Sequence, residues 1–152
     1  MNTKLPNFLI LLILTAIPSE IYGISNPSGK EKVKHLKEKS LNILTLGDSN
    51  GALPFGWVYQ LKQIRTNDTI FNISISGNTI GFNNNGQRSL NTLSNIGSYM
   101  KKAYSRLGKI DRIIIMLGTN DCKAVFSDSL SVVPGNMKSI IDEILKLCNL
   151  QY

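Results

Sequence analysis

From residue 41 onward the apolar positions fall into two alternating patterns. Three short runs, residues 41–46 (LNILTL), 69–74 (TIFNIS) and 110–117 (IDRIIIML), are rich in aliphatic and β-branched side chains and predict strands. Between them the apolar spacing turns helical. Trp57, Leu61 and Ile64 follow Pro54 and predict a helix over residues 54–64, with the proline in its first turn. Leu90, Leu93, Ile96, Met100, Ala103, Tyr104 and Leu107 form a longer stripe that stops at Gly108. Pro134 opens a last helix carrying Met137, Ile140, Ile141, Ile144, Leu145 and Cys148 on one face. The order β-α-β-loop-α-β-α implies parallel strands joined by right-handed crossovers, an α/β layered sheet in one domain. In such sheets the ligand crevice lies beyond the carboxyl ends of the strands. All three predicted strands end there in polar loops: residues 47–51 (GDSNG), Ser76-Gly77-Asn78 and residues 118–121 (GTND).

The first 40 residues follow another pattern. Lys4 precedes Phe8 to Ile17 (FLILLILTAI), an uncharged and almost wholly apolar run, which Pro18, Ser19 and Glu20 interrupt. A basic start, a short apolar core and a small residue at Gly23 predict an export signal over residues 1–23, hence a secreted or periplasmic protein. As a helix the run would be about 15 Å long, half the hydrocarbon thickness, so no stable membrane span is expected. A buried first helix or an uncleaved anchor is the other account of the same run. Residues 24–40 read as a solvated lysine-rich spacer: Lys30, Lys32, Lys34, Lys37 and Lys39 alternate with Glu31 and Glu38.

The chain is 152 residues long with a formal charge of +7, yet no zinc-finger spacing, RNP-like motif or Arg-rich segment accompanies the lysines, so nucleic acid is not an expected partner. Two cysteines are too few for a disulfide scaffold; export would permit a bond between Cys122 and Cys148, which spacing alone does not show, and two free thiols are expected. The single histidine, His35, is too few for a multi-histidine metal site, and no cofactor is expected.

The loops suggest acyl transfer. Ser49 follows a strand directly and offers a hydroxyl together with its own N–H. Gly77 lacks a Cβ, so its N–H can approach a ligand closely. Asn120 supplies a neutral side-chain amide with two donors. A hydroxyl nucleophile flanked by donors is what an ester carbonyl requires as its oxygen becomes an oxyanion. Taken singly, each loop is an ordinary turn or helix cap. Their order, one at each strand end, makes the combination specific.

These residues resemble the SGNH (GDSL-type) hydrolase family. Leu46-Gly47-Asp48-Ser49-Asn50 resembles its first block, whose serine is the nucleophile. Ile75-Ser76-Gly77-Asn78-Thr79 resembles the second, whose glycine N–H enters the oxyanion hole, and Leu117-Gly118-Thr119-Asn120-Asp121 resembles the third, whose asparagine completes it. The resemblance covers about residues 41–148. It implies a flavodoxin-like three-layer α/β/α fold and metal-free esterase, lipase or carbohydrate deacetylase activity on small-molecule, carbohydrate or lipid esters. Trp57, Phe55, Phe82 and Phe126 are candidates for lining such a pocket, though packing is the ordinary role of each.

The family's fourth block, Asp-x-x-His, has no counterpart: Asp128, Asp142 and Glu143 are the only acids after Asp121, and no histidine follows them. His35 precedes the first of the three strands, a poor position for a base that must reach Ser49. The expectation is therefore a partial SGNH domain over residues 41–152, its parallel sheet C-terminally truncated, with nucleophile and oxyanion hole but no proton shuttle. Such a chain would be a weak esterase of marginal stability, with an exposed sheet edge. Two other classes fit the same loops: a non-catalytic SGNH-like domain binding acylated carbohydrate or lipid, and an unrelated flavodoxin-like binding domain, for which no phosphate-loop motif speaks.

Overall fold

A computed structural model describes residues 39–149, and residues 10–15 by their backbone. The export signal otherwise, the spacer up to residue 38 and His35 lie outside the described residues. The fold is a mixed α/β sheet with helices. Its strands are β1 (Ile10–Thr15), β2 (Asn42–Gly47), β3 (Thr69–Asn72) and β4 (Arg112–Leu117), in the order β1-β4-β2-β3. β2 lies parallel to both β3 and β4, with Leu44 opposite Phe71 on one side and Ile113 on the other.

The helices are α1 (Ser49–Ala52), α2 (Trp57–Ile64), α3 (Thr92–Leu107) and α4 (Val133–Asn149). The three predicted strands and the three predicted helices are present, with shifted bounds. Pro54 and Phe55 sit in the turn before α2 rather than inside it, because α1 closes first, with Leu53 N–H donating to the Ser49 carbonyl. β3 stops at Asn72, although Ile73 and Ile75 N–H still donate to the Thr45 and Gly47 carbonyls. The polar loop and the segment after Asp121 form short 3-10 turns, Asn84–Gly86, Arg88–Leu90 and Ala124–Val132, which the sequence pattern did not anticipate.

The expected all-parallel sheet needs correction at one edge. β1, drawn from the apolar run of the expected export signal, pairs antiparallel with the whole of β4, from Ile10 opposite Leu117 to Thr15 opposite Arg112. The β4 edge expected to be exposed is therefore occupied by a six-residue strand, of which Ile10, Ile13 and Thr15 are β-branched. The edge strands of the described sheet are β1 and β3.

Leu44 and Leu46 of β2 and Ile113, Ile115 and Leu117 of β4 alternate onto one sheet face. Ile96, Tyr99, Met100 and Ala103 of α3 and Met137, Ile140 and Ile144 of α4 close over that face as one continuous core. Burying each large aliphatic side chain contributes roughly 1.5–3 kcal/mol, which holds the sheet and both helices in register. Asn91 caps α3 by accepting from Ser94 N–H, and Gly108 (φ +73°) ends it by donating to the Tyr104 carbonyl. No helix among the described residues is long and apolar enough to cross a membrane. Cys122 is exposed, Cys148 half-buried, and both are free; the Tyr104 hydroxyl donates to Cys148 Sγ at 3.4 Å.

Candidate active site

Ser49 is the first residue of α1, immediately beyond β2. Asp48 caps that turn, its Oδ1 accepting from Asn50 N–H at 2.9 Å, and so turns the chain out of the sheet at the serine. Ser49 is half-buried, and neither its hydroxyl nor its N–H meets a protein partner among the described residues. The two flanking glycines supply room. A Cβ on Gly47 would lie 2.8 Å from Ser74 Oγ, and one on Gly51 would lie 2.8 Å from Trp57 Nε1. Neither glycine has a positive φ, so the turn needs their small size and not their conformational range.

Gly77 does need that range. Its φ of +85° favours glycine, and a Cβ there would press on Leu90 at 3.3 Å and Asn84 at 3.4 Å. The Asn84 side-chain amide donates to the Gly77 carbonyl at 2.6 Å, which ties that carbonyl down and leaves the Gly77 N–H without a protein acceptor among the described residues. Gly118, with φ +124°, makes the corresponding bend after β4.

Hydrogen bonds join the three loops. Asn120 Nδ2 donates to the Asn78 carbonyl at 2.9 Å, which leaves its second amide proton for a ligand. Asn78 Nδ2 donates to the Gly47 carbonyl at 3.4 Å. Asn50 Nδ2 donates to Thr119 Oγ1, also at 3.4 Å. These bonds tie to one another the three loops that carry Ser49, Gly77 and Asn120.

Sequence reasoning passed over the residues that do the holding. Asn78 is 1% exposed and touches both neighbouring loops, yet in the sequence it is half of an ordinary turn pair. Asn72 accepts from Thr45 Oγ1 at 3.0 Å and from Ser74 N–H at 2.9 Å, and donates to the Gly51 carbonyl at 2.9 Å, locking α1 onto β3. Its signal was a polar residue on an otherwise apolar strand. Lys123 Nζ donates to Asn84 Oδ1 at 3.1 Å and supports the same amide that orients Gly77. Phe82 and Phe126 stack with centroids 4.6 Å apart, joining the Gly77 loop to the segment after Asp121. Phe55, by contrast, is 82% exposed.

Two carboxyl groups lie beneath the site, each next to a proposed catalytic residue. Asp48 and Asp121 are both 1% exposed. Asp121 accepts from Ile80 N–H at 3.0 Å, while Asp48 Oδ2 is buried with no partner among the described residues. Burial raises the Asp121 carboxyl above its ordinary value and the Asp48 charge adds to the rise, against the lowering effect of the Ile80 and Gly81 amides. Burial likewise raises the Tyr99 hydroxyl.

Neither a family model, nor a curated protein, nor a solved structure matches the chain. Among the described residues no cluster of three or more His, Cys, Asp or Glu side chains could hold a metal ion.

Proposed function

We propose that the chain is an exported SGNH-type serine ester hydrolase domain of flavodoxin-like architecture, with Ser49 as nucleophile. The observation that supports this reading is that hydrogen bonds join the three loops carrying an unpartnered Ser49 hydroxyl, the Gly77 N–H and the Asn120 amide, beyond the carboxyl ends of the strands. Ser49 Oγ would attack the ester carbonyl carbon. The carbonyl oxygen, becoming an oxyanion, would accept from the N–H groups of Ser49 and Gly77 and from Asn120 Nδ2. Collapse would expel the alcohol and leave the acyl group on Ser49 until water removes it. The basic start and apolar run of residues 1–17 fit an export signal, and since residues 10–15 of that run form β1 against β4, the run would stay with the folded chain as an uncleaved leader.

With no side chain assigned as base, the hydroxyl proton would pass to solvent, water would protonate the departing alkoxide, and catalysis would rest on the oxyanion donors and substrate binding. Turnover of p-nitrophenyl acetate is expected several orders of magnitude below that of a complete triad, and abolished in Ser49→Ala. A Ser49→Ala rate equal to that of the parent chain overturns the proposal. The single histidine of the sequence favours a second reading, an SGNH-like domain that binds acylated carbohydrate or lipid without turning it over. Saturable binding of an acetylated xylan oligosaccharide with no Ser49-dependent hydrolysis would select it.

A further inference from the structure

A second site lies away from the strand ends, between α3 and the edge strand β3. A groove of about 560 Å³ is lined by Phe71, Ser98, Lys101, Lys102, Ser105 and Arg106. Five of these six belong to α3, at successive offsets of three, one, three and one. That spacing puts them on a single helix face about 12 Å long. The groove holds three cations, two hydroxyls and no carboxylate. The described ion pairs engage Arg65, Lys109, Lys138 and Lys146, and none of them engages Lys101, Lys102 or Arg106. The chain as a whole carries a formal charge of +7, and here three of its cations face open space beside one another.

We propose that this groove binds an anionic polysaccharide through its carboxylate or sulfate groups. Lys101, Lys102 and Arg106 lie within about 7.5 Å of helix rise, a short cluster that suits neighbouring anionic groups of one sugar chain. The Ser98 and Ser105 hydroxyls suit sugar hydroxyls. Phe71, half-buried, and the lysine stems give the apolar floor on which a sugar face can lie. A single half-buried ring offers little of the stacking platform that single-stranded nucleic acid uses.

The site is independent of the ester chemistry, and binding should survive Ser49→Ala. The test titrates the full chain with polygalacturonate at several salt concentrations, alongside uncharged dextran and a single-stranded oligodeoxynucleotide. The triple variant Lys101→Gln/Lys102→Gln/Arg106→Gln is expected to lose about tenfold or more in affinity, with a shallower salt dependence. A variant of equal charge loss elsewhere, Lys62→Gln/Lys138→Gln/Lys146→Gln, is expected to stay within about twofold of the parent, because counterion release is local to the contacts made. Thermal melts establish that both variants fold, and Lys102→Glu alone replaces the triple variant if that one does not. No binding of polygalacturonate, equal binding of dextran, equal losses in the two triple variants, or tighter binding of the oligonucleotide would each overturn the proposal.

Discussion

Asp121 is 1% exposed and adjoins Asn120, a proposed oxyanion donor. Its carboxyl anchors Ile80 N–H and so fixes the loop behind Gly77, while its neighbour Asn120 faces the site. Its value is raised above the reference 3.8 by burial and by Asp48. A carboxyl raised by folding stabilises the native state fully below its unfolded value and loses that contribution as pH climbs through the folded value. Asp121→Asn keeps an acceptor for Ile80 and removes the ionisation. The melting temperature of the variant relative to the parent should therefore rise as pH is taken from 4 to 7. A difference independent of pH would show that Asp121 does not ionise against a cost. Nothing in the sequence signalled this residue beyond its place in a Gly-Thr-Asn-Asp string, because its burial depends on the Gly77 loop closing over it.

At the scale of elements, the end of β2, the α1 turn and the strand beside them fit together through absent side chains. Gly47 faces Ser74 Oγ and the Met116 carbonyl, where a methyl group would have contacts of 2.8 and 3.2 Å. Gly47→Ala should destabilise the chain by about 1–3 kcal/mol, the usual cost of overpacking. Adding Ser74→Gly should recover part of that loss in denaturant midpoints, and no recovery would place the strain elsewhere. The sequence pattern revealed the strands and long helices because Leu44, Leu46, Ile113, Ile115 and Leu117 alternate while Ile96, Met100 and Ala103 recur at helical spacing. It also located the polar loops after the strands, of which those holding Ser49 and Asn120 follow β2 and β4 directly. It missed the network of Asn72, Asn78 and Asn84, since an asparagine looks the same in a solvated turn as in a buried bridge. It missed the 3-10 turns because they satisfy local backbone groups without an apolar period.

For the whole molecule, the sheet edge expected to be open is occupied by a strand from the apolar N-terminal run. Removing residues 1–38 uncovers six residues of β4 that β1 otherwise pairs, an aliphatic edge prone to associate. The shortened chain should show concentration-dependent association in analytical ultracentrifugation, whereas the full chain sediments as a smaller species. A shortened chain that stays monomeric with an unchanged melt would contradict the role of β1. The ester-hydrolase account rests on Ser49 being reactive because the oxyanion donors surround it. The most direct test treats the full chain with a fluorophosphonate and maps the adduct by peptide mass spectrometry. The account predicts one slow adduct on Ser49, with Asn120→Ala slowing it by about 100- to 1,000-fold. No adduct on Ser49, or labelling at an unchanged rate in Asn120→Ala, would contradict it.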